Sequence, residues 1–131
     1  MERLGLSNDD GKIEFGLDTQ RGLLVVDAVG TLDECRFSYQ EKTVSKEAAR
    51  IFYRRSTWYK EVQRAKEEDP LRWRERVGIP PPPLPQGLLE AISHLYQAFT
   101  QELTQREWFG DVPSLKEALE RVEEKLEGGR G

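Results

Sequence analysis

Asp10, Lys12 and Glu14 alternate along one short stretch of chain, and Asp27 closes the apolar run Leu23-Leu24-Val25-Val26 further on. On a strand, side chains two apart share a face, so the first three project the same way. A hairpin partner strand would bring Asp27 towards Glu14, with the pairing register left open. Carboxylates converging beside a lysine suit a Mg2+–polyphosphate site, because hard oxygens hold the metal and an ammonium offsets phosphate charge. The segment Gly30-Thr31-Leu32-Asp33-Glu34-Cys35-Arg36 adds a hydroxyl, another acid and a guanidinium able to hold a phosphate bidentately. Charges alternating along a hairpin are more often simply its solvated face, so spacing alone leaves both readings standing.

The elements that must position these residues are strands first and helices after. Lys12-Ile13-Glu14-Phe15-Gly16-Leu17 alternates polar and apolar positions as a half-buried strand does. Asp18 to Gly22 is turn chemistry, and Leu23 to Val26 completes a hairpin. Arg36 to Tyr39 reads as a third strand. From Ser45, a plausible N-cap, helical spacing runs through Ala49, Phe52 and Tyr53 to about Ala65. Residues 67–87 read as irregular, with Pro80 to Pro83 and Pro85 forming a polyproline II strap. A second helix carries Leu88, Leu89, Ile92, Leu95, Tyr96, Phe99 and Leu103 on one face. The last helix opens with the capping box Ser114/Glu117 after Pro113, shows Leu115, Leu119, Val122 and Leu126 to one side, and stops at Gly128 and Gly129. The class expected is α+β, an antiparallel hairpin and sheet followed by helices. A single domain over 1–131 is expected, β-rich over 1–40 and helical over 45–128.

Composition narrows the function. The chain has 131 residues, 37% hydrophobic and 34% charged, enough to pattern one core. A net charge of −4 argues against a general nucleic-acid binder, without excluding a local basic pocket for one phosphate. With Cys35 the sole cysteine, no intrachain disulfide can form and a reducing compartment is expected. No apolar run approaches a membrane span of about 18 residues, and no signal-peptide pattern follows Met1. A cytoplasmic protein without a membrane partner is the expectation.

Other chemically able residues have plainer readings. His94 falls off the apolar face of its helix and reads as a surface histidine. Cys35 reads as a small strand residue rather than a reactive thiol, which would need an electropositive site. Trp58, Trp73 and Trp108 read as packing anchors rather than stacking platforms. Arg54, Arg55, Lys60 and Arg64, balanced by Glu61, Glu67, Glu68 and Asp69, read as a solvated helix face laced with ion pairs. The proline strap reads as a rigid connection ahead of a docking ligand.

Three blocks taken together are more specific. Asp10-Gly11-Lys12-Ile13-Glu14-Phe15-Gly16 resembles the Asp-x-Lys-x-Glu-Phe-Gly signature of the SAICAR synthetases. An acid at the end of the next strand follows, here Asp27. Thr31-Leu32-Asp33-Glu34-Cys35-Arg36 is similar to the family's Ser-Pro-Asp-x-x-Arg, with Thr for Ser and Leu for Pro. Ser45-Lys46-Glu47-Ala48-Ala49-Arg50 is similar to its Asp-Lys-x-x-x-Arg helix start, with Ser for Asp. The blocks span about residues 9–54; the polar Ser7-Asn8-Asp9 departs from the apolar strand that the family places there.

The resemblance implies a ligase that joins L-aspartate to the carboxylate of carboxyaminoimidazole ribonucleotide, in de novo purine biosynthesis, while cleaving ATP to ADP and phosphate. It implies an acyl phosphate that the aspartate amine then attacks. It implies Glu14 and Asp27 as Mg2+ ligands beside the nucleotide, and Lys12 as the catalytic contact to the nucleotide or to the phosphoryl group in transfer. It implies Asp10 and Asp33 around the ribose or base, Arg36 and Arg50 at the 5′-phosphate, and Thr31 as a further substrate-binding residue. Such catalysis is mostly positioning and charge neutralisation. The family's amino-terminal lobe has no counterpart here, so the chain is expected to act as the carboxy-terminal half of the enzyme. A lobe supplied in trans, or a homo-oligomer, is the expected partner. The alternative is a non-catalytic nucleotide-binding or interaction module derived from the same fold.

Overall fold

The computed structural model describes residues 5–39, 41–44 and 46–128. Among the described residues five strands precede five helices, so the α+β class holds. Strand β1 (Leu6–Gly11) pairs antiparallel with β4 (Cys35–Tyr39), which pairs antiparallel with β5 (Lys42–Val44), giving a sheet of order β1-β4-β5. Strands β2 (Glu14–Leu17) and β3 (Leu23–Val26) form a separate two-stranded hairpin.

The strand expected from Lys12 begins only at Glu14, and Lys12 and Ile13 form the break between two sheets. Strand β1 is polar and exposed beyond Leu6, which hides it from any alternation pattern. It forms because β4, packed on the helices, offers it an edge. A bulge between Asn8 and Asp10 absorbs the extra residue Asp9, whose Oδ1 accepts from Ser38 Oγ at 3.0 Å. The turn from Asp18 to Gly22 is organised by one carboxylate: Asp18 Oδ1 accepts from the N–H of Gln20 (2.8 Å) and of Gly22 (2.7 Å).

The helix expected from Ser45 to about Ala65 is two helices, α1 (Glu47–Arg54) and α2 (Thr57–Glu68). Ser56 breaks the run. Its backbone is extended, its Oγ donates to Tyr53 O at 2.6 Å and accepts from the N–H of Tyr59 at 3.2 Å, so it caps α2. The Ser45 cap and the Gly129 stop lie outside the described residues. Within the stretch expected to be irregular, Asp69 Oδ1 accepts from the N–H of Leu71 and Arg72 and seeds a short turn of helix, α3 (Trp73–Arg76).

Helices α4 (Gln86–Thr104) and α5 (Leu115–Gly128) pack on each other and on the three-stranded sheet. The buried face of α4 is Leu88, Ala91, Leu95, Ala98 and Phe99, and Leu89 and Leu103 are exposed, contrary to expectation. The alanines count as core because they let α5 approach with Ala118, Leu119 and Val122. The Ser114/Glu117 box forms as expected: Ser114 N–H and Oγ donate to Glu117 Oε2, and Glu117 N–H donates back to Ser114 Oγ. Phe37 of β4 is 1% exposed and meets Phe99 at 5.9 Å between centroids. Burying such a ring stabilises by about 1.5–3 kcal/mol. Trp108, expected as an anchor, is exposed, with its indole N–H donating to Thr104 Oγ1 at 2.8 Å.

Candidate functional site

Where β1 ends beside β4 and α1 begins, the chain encloses a cavity of about 350 Å3. Its walls include Asp10, Lys12, Asp33, Arg36 and Arg50, five of the residues singled out from sequence. The sheet register explains the gathering. Asp10 pairs with Arg36 and Gly11 with Cys35, so the end of the Asp-x-Lys block lies beside the Asp-x-x-Arg block. The Lys12 N–H donates to Glu34 O at 3.1 Å and closes that corner. Arg36 Nε stands 3.5 Å from Asp10 Oδ1.

Asp10, Lys12 and Glu14 do not share one strand face. Asp10 belongs to β1 and Glu14 to β2, in different sheets. Lys12, between them, forms an ion pair with Glu14. That hydrogen bond and charge raise the Lys12 pKa, with Glu34 and Asp27 adding attraction. Asp27 therefore contributes to the field at Lys12. It follows Val26, the register partner of Glu14, and takes a left-handed backbone (φ 70°) in which its Oδ1 accepts from the N–H of Ala28 at 2.8 Å. Glu14 and Asp27 thus stand at the hairpin side of Lys12, outside the residues that wall the cavity. Thr31 is outside them as well. Its Oγ1 accepts from the N–H of Glu34 at 3.3 Å, and its carbonyl accepts from the N–H of Cys35 at 3.0 Å. In this geometry its hydroxyl shapes the turn that presents Asp33.

Sequence reasoning missed three participants. Lys46 walls the cavity and sits one helical turn before Arg50, whose N–H donates to its carbonyl at 3.3 Å. The Lys-x-x-x-Arg spacing was a usable signal, since residues four apart share a helix face. Tyr96 on α4 donates its hydroxyl to Asp33 Oδ1 at 2.8 Å, a contact across 63 positions that no local pattern reveals. Gly11 is required by close approach: a Cβ there would stand 2.8 Å from Cys35 Sγ. Cys35 itself is buried, as a packing residue.

The chemistry of the cavity is mixed by design of its walls. Lys12, Arg36, Lys46 and Arg50 are cations able to hold a phosphate, while Asp10 and Asp33 can accept from sugar hydroxyls or base N–H groups. Glu14 and Asp27 offer hard oxygens of the kind Mg2+ takes, one or two carboxylates complemented by phosphate oxygens. Among the described residues, no group of three or more His, Cys, Asp or Glu side chains could hold a metal ion. Two such carboxylates are a donor set that fits Mg2+ only together with oxygens from another source, such as a polyphosphate. Among the same residues no helix is long and apolar enough to cross a membrane.

The sequence model of the family described as SAICAR synthetase matches residues 1–71. The chain is 50% identical over 127 residues to a protein of Archaeoglobus fulgidus whose name carries phosphoribosylaminoimidazole-succinocarboxamide synthase provisionally; 97% of this chain and 37% of that one are covered. It is 31% identical over 119 residues to the phosphoribosylaminoimidazole-succinocarboxamide synthase of Thermoplasma volcanium, covering 82% of this chain and 37% of the relative. For the protein of the same name from Thermoplasma acidophilum the identity is 30% over 114 residues, with 79% and 36% covered. The chain spans little more than a third of the length of these curated relatives. No solved structure gives a significant match.

Proposed function

Since the chain belongs to the SAICAR synthetase family, we propose that it supplies the ribonucleotide- and nucleotide-binding part of a carbon–nitrogen ligase acting in purine biosynthesis. The substrates proposed are carboxyaminoimidazole ribonucleotide, L-aspartate and ATP, in the cytoplasm. The single observation that carries the reading is the cavity itself, where cations for a phosphate and acids for a sugar or base share one wall.

In the proposed reaction the substrate carboxylate oxygen attacks the γ-phosphorus of ATP, the bond to the ADP oxygen breaks, and an acyl phosphate forms. The aspartate amine then attacks the acyl carbon, loses a proton, and phosphate leaves. Arg36, Lys46 and Arg50 hold the ribonucleotide phosphate. Asp33, oriented by Tyr96, and Asp10, held towards Arg36, accept from the ribose or base. Lys12 sets its ammonium against the transferring phosphoryl group, where positioned charge supplies most of the catalysis. Its raised pKa keeps it cationic. Glu14 and Asp27 would hold Mg2+, which when bound would supply further charge neutralisation on the nucleotide.

Hairpin β2–β3 is the place for a completing partner. Phe15 is 57% exposed, Leu23 69% and Val25 58%, on a two-stranded sheet whose both faces carry apolar side chains. An apolar surface of this kind marks an interface. The partner proposed is the further portion that the longer relatives carry, supplied in trans, or a second copy of this chain. ADP release is measured with carboxyaminoimidazole ribonucleotide and L-aspartate, with and without an amino-terminal portion of a relative. Turnover on its addition is expected. Absence of turnover in both arms, with Mg–ATP still bound, would leave a non-catalytic nucleotide-binding module instead.

A further inference from the structure

A second cavity, of about 360 Å3, opens on the far side of Arg50, between α1, α2 and α3. Its size falls at the lower end of small-ligand pockets, about 300–1,000 Å3. Ser56 creates it. By breaking the helix, the cap turns α2 so that Trp58 meets Tyr53 edge-on at 5.7 Å, and Tyr59 lines the same hollow. Tyr59 is fixed further by Gln63, whose Nε2 donates to its hydroxyl at 3.0 Å. All three aromatics are only half-buried. Trp73 closes the far wall, with Lys66 Nζ at 4.9 Å from its ring centroid.

Arg50, Arg54 and Lys66 line this aromatic hollow, and among the described residues no acid does. Arg50 and Arg54 both pair with Glu47, whereas Lys66 has no carboxylate partner among the described residues and shares the Trp73 ring with Arg74. Packing alone explains aromatic rings; it does not explain why Lys66, beside half-open ones, stands without a carboxylate on a chain with 24 acids against 20 bases. Half-open aromatic faces stack on a planar base, and nearby ammonium or guanidinium groups hold its phosphate. We propose that this hollow is a second nucleotide site, taking a free nucleoside monophosphate. Its volume suits one base rather than a run of bases, and the net charge of −4 disfavours a polyanion. Arg50 walls both cavities, so the two sites are neighbours with a shared cation.

The test is a titration of the chain with AMP, followed by tryptophan fluorescence, with EDTA present so that no divalent cation supports the other site. Saturable quenching is expected. Lys66→Gln, a change to an exposed side chain, weakens binding about fivefold or more, and Trp58→Leu does so too, as loss of one stacked aromatic does. Glu14→Ala and Asp27→Ala leave AMP affinity within about twofold of the parent, because neither touches this hollow. Absence of saturable quenching overturns the inference, as does binding that Lys66→Gln leaves unchanged. AMP binding abolished by Arg36→Gln, a wall of the Lys12 cavity but not of this hollow, would place the ligand there, sinking this inference while leaving the ligase reading intact. Single-stranded RNA binding tenfold or more tighter than AMP would also overturn it.

Discussion

The Tyr96 hydroxyl donates to Asp33 Oδ1 at 2.8 Å, joining the long helix α4 to the turn that carries one of the cavity's acids. Burial first, and then the bond to Asp33, pushes the Tyr96 pKa up, so the donor is retained well into alkaline solution. A raised tyrosine contributes its bond fully below the ordinary pKa of 10.0, and the contribution fades only as pH climbs through the raised value. Tyr96→Phe should cost about 1 kcal/mol of unfolding free energy. Ribonucleotide affinity should fall with it, as read by calorimetry. Unchanged affinity would show that Asp33 needs no tether.

In the proposed reaction the chemistry concentrates on Lys12. Lys12→Met should lower kcat about 10²–10³-fold in the completed enzyme, the usual cost of removing one positioned charge or donor. Steady-state kinetics check this, and circular dichroism should be unchanged because the side chain is exposed. A kcat within threefold of the parent would remove Lys12 from the phosphoryl transfer.

Gly11 and Cys35 share one tight contact at the back of the cavity. Gly11→Ala places a Cβ 2.8 Å from Sγ of the buried Cys35, so one of the two must shift. The expected destabilisation is about 1–3 kcal/mol, as for overpacking elsewhere. The double variant Gly11→Ala/Cys35→Ala should recover much of it in urea denaturation, which separates the clash from any loss of backbone freedom.

How much of this was legible depended on whether a residue's neighbours lay close in sequence. The turn at Asp18, the strand Leu23 to Val26 and the Ser114/Glu117 box announce themselves because each bond spans a few residues. Ser56 was hidden because apolar spacing continues across it, and a cap competes with periodicity only through its own hydroxyl. Strand β1 was hidden because an exposed edge strand needs a partner rather than a pattern. The cavity residues were readable as types, but their split into an Asp10–Arg36 pair and a Lys12–Glu14 pair follows from a chain break between two sheets. Tyr96 could not be found at all without the packing of α4.

The capping box gives a pH signature. The bonds from Ser114 lower the Glu117 pKa, its side-chain hydroxyl contributing most. A lowered carboxylate contributes stability above its unfolded pKa, and that contribution is lost as pH falls through the lowered folded value. The ordinary glutamate value is 4.5, so the contribution is complete at neutral pH and is lost only on acidification below that value. Ser114→Ala should cost about 0.5–2 kcal/mol near pH 7, the usual range for an N-cap. The gap in unfolding free energy between parent and variant should narrow on acidification. A gap that stays constant from pH 7 to the acid transition would show that Glu117 takes no part in it.

The hairpin decides whether the chain stands alone. Phe15 and Val25 are register partners on β2 and β3, so their side chains lie on one face of the two-stranded sheet, more than half exposed. An isolated two-stranded hairpin is marginal in water and gains little from its own ladder. Water contact at so many apolar residues favours association over a free hairpin. The parent should therefore sediment as concentration-dependent oligomers, or as a complex when the amino-terminal portion of a relative is added. Phe15→Asp/Val25→Lys should shift it to monomer without moving thermal unfolding of the α4–α5 core by more than a few degrees. The same variant should lose any turnover gained by adding that portion in trans. A parent that is strictly monomeric at all concentrations, with hairpin amides protected from exchange, would show that the chain covers this surface by itself.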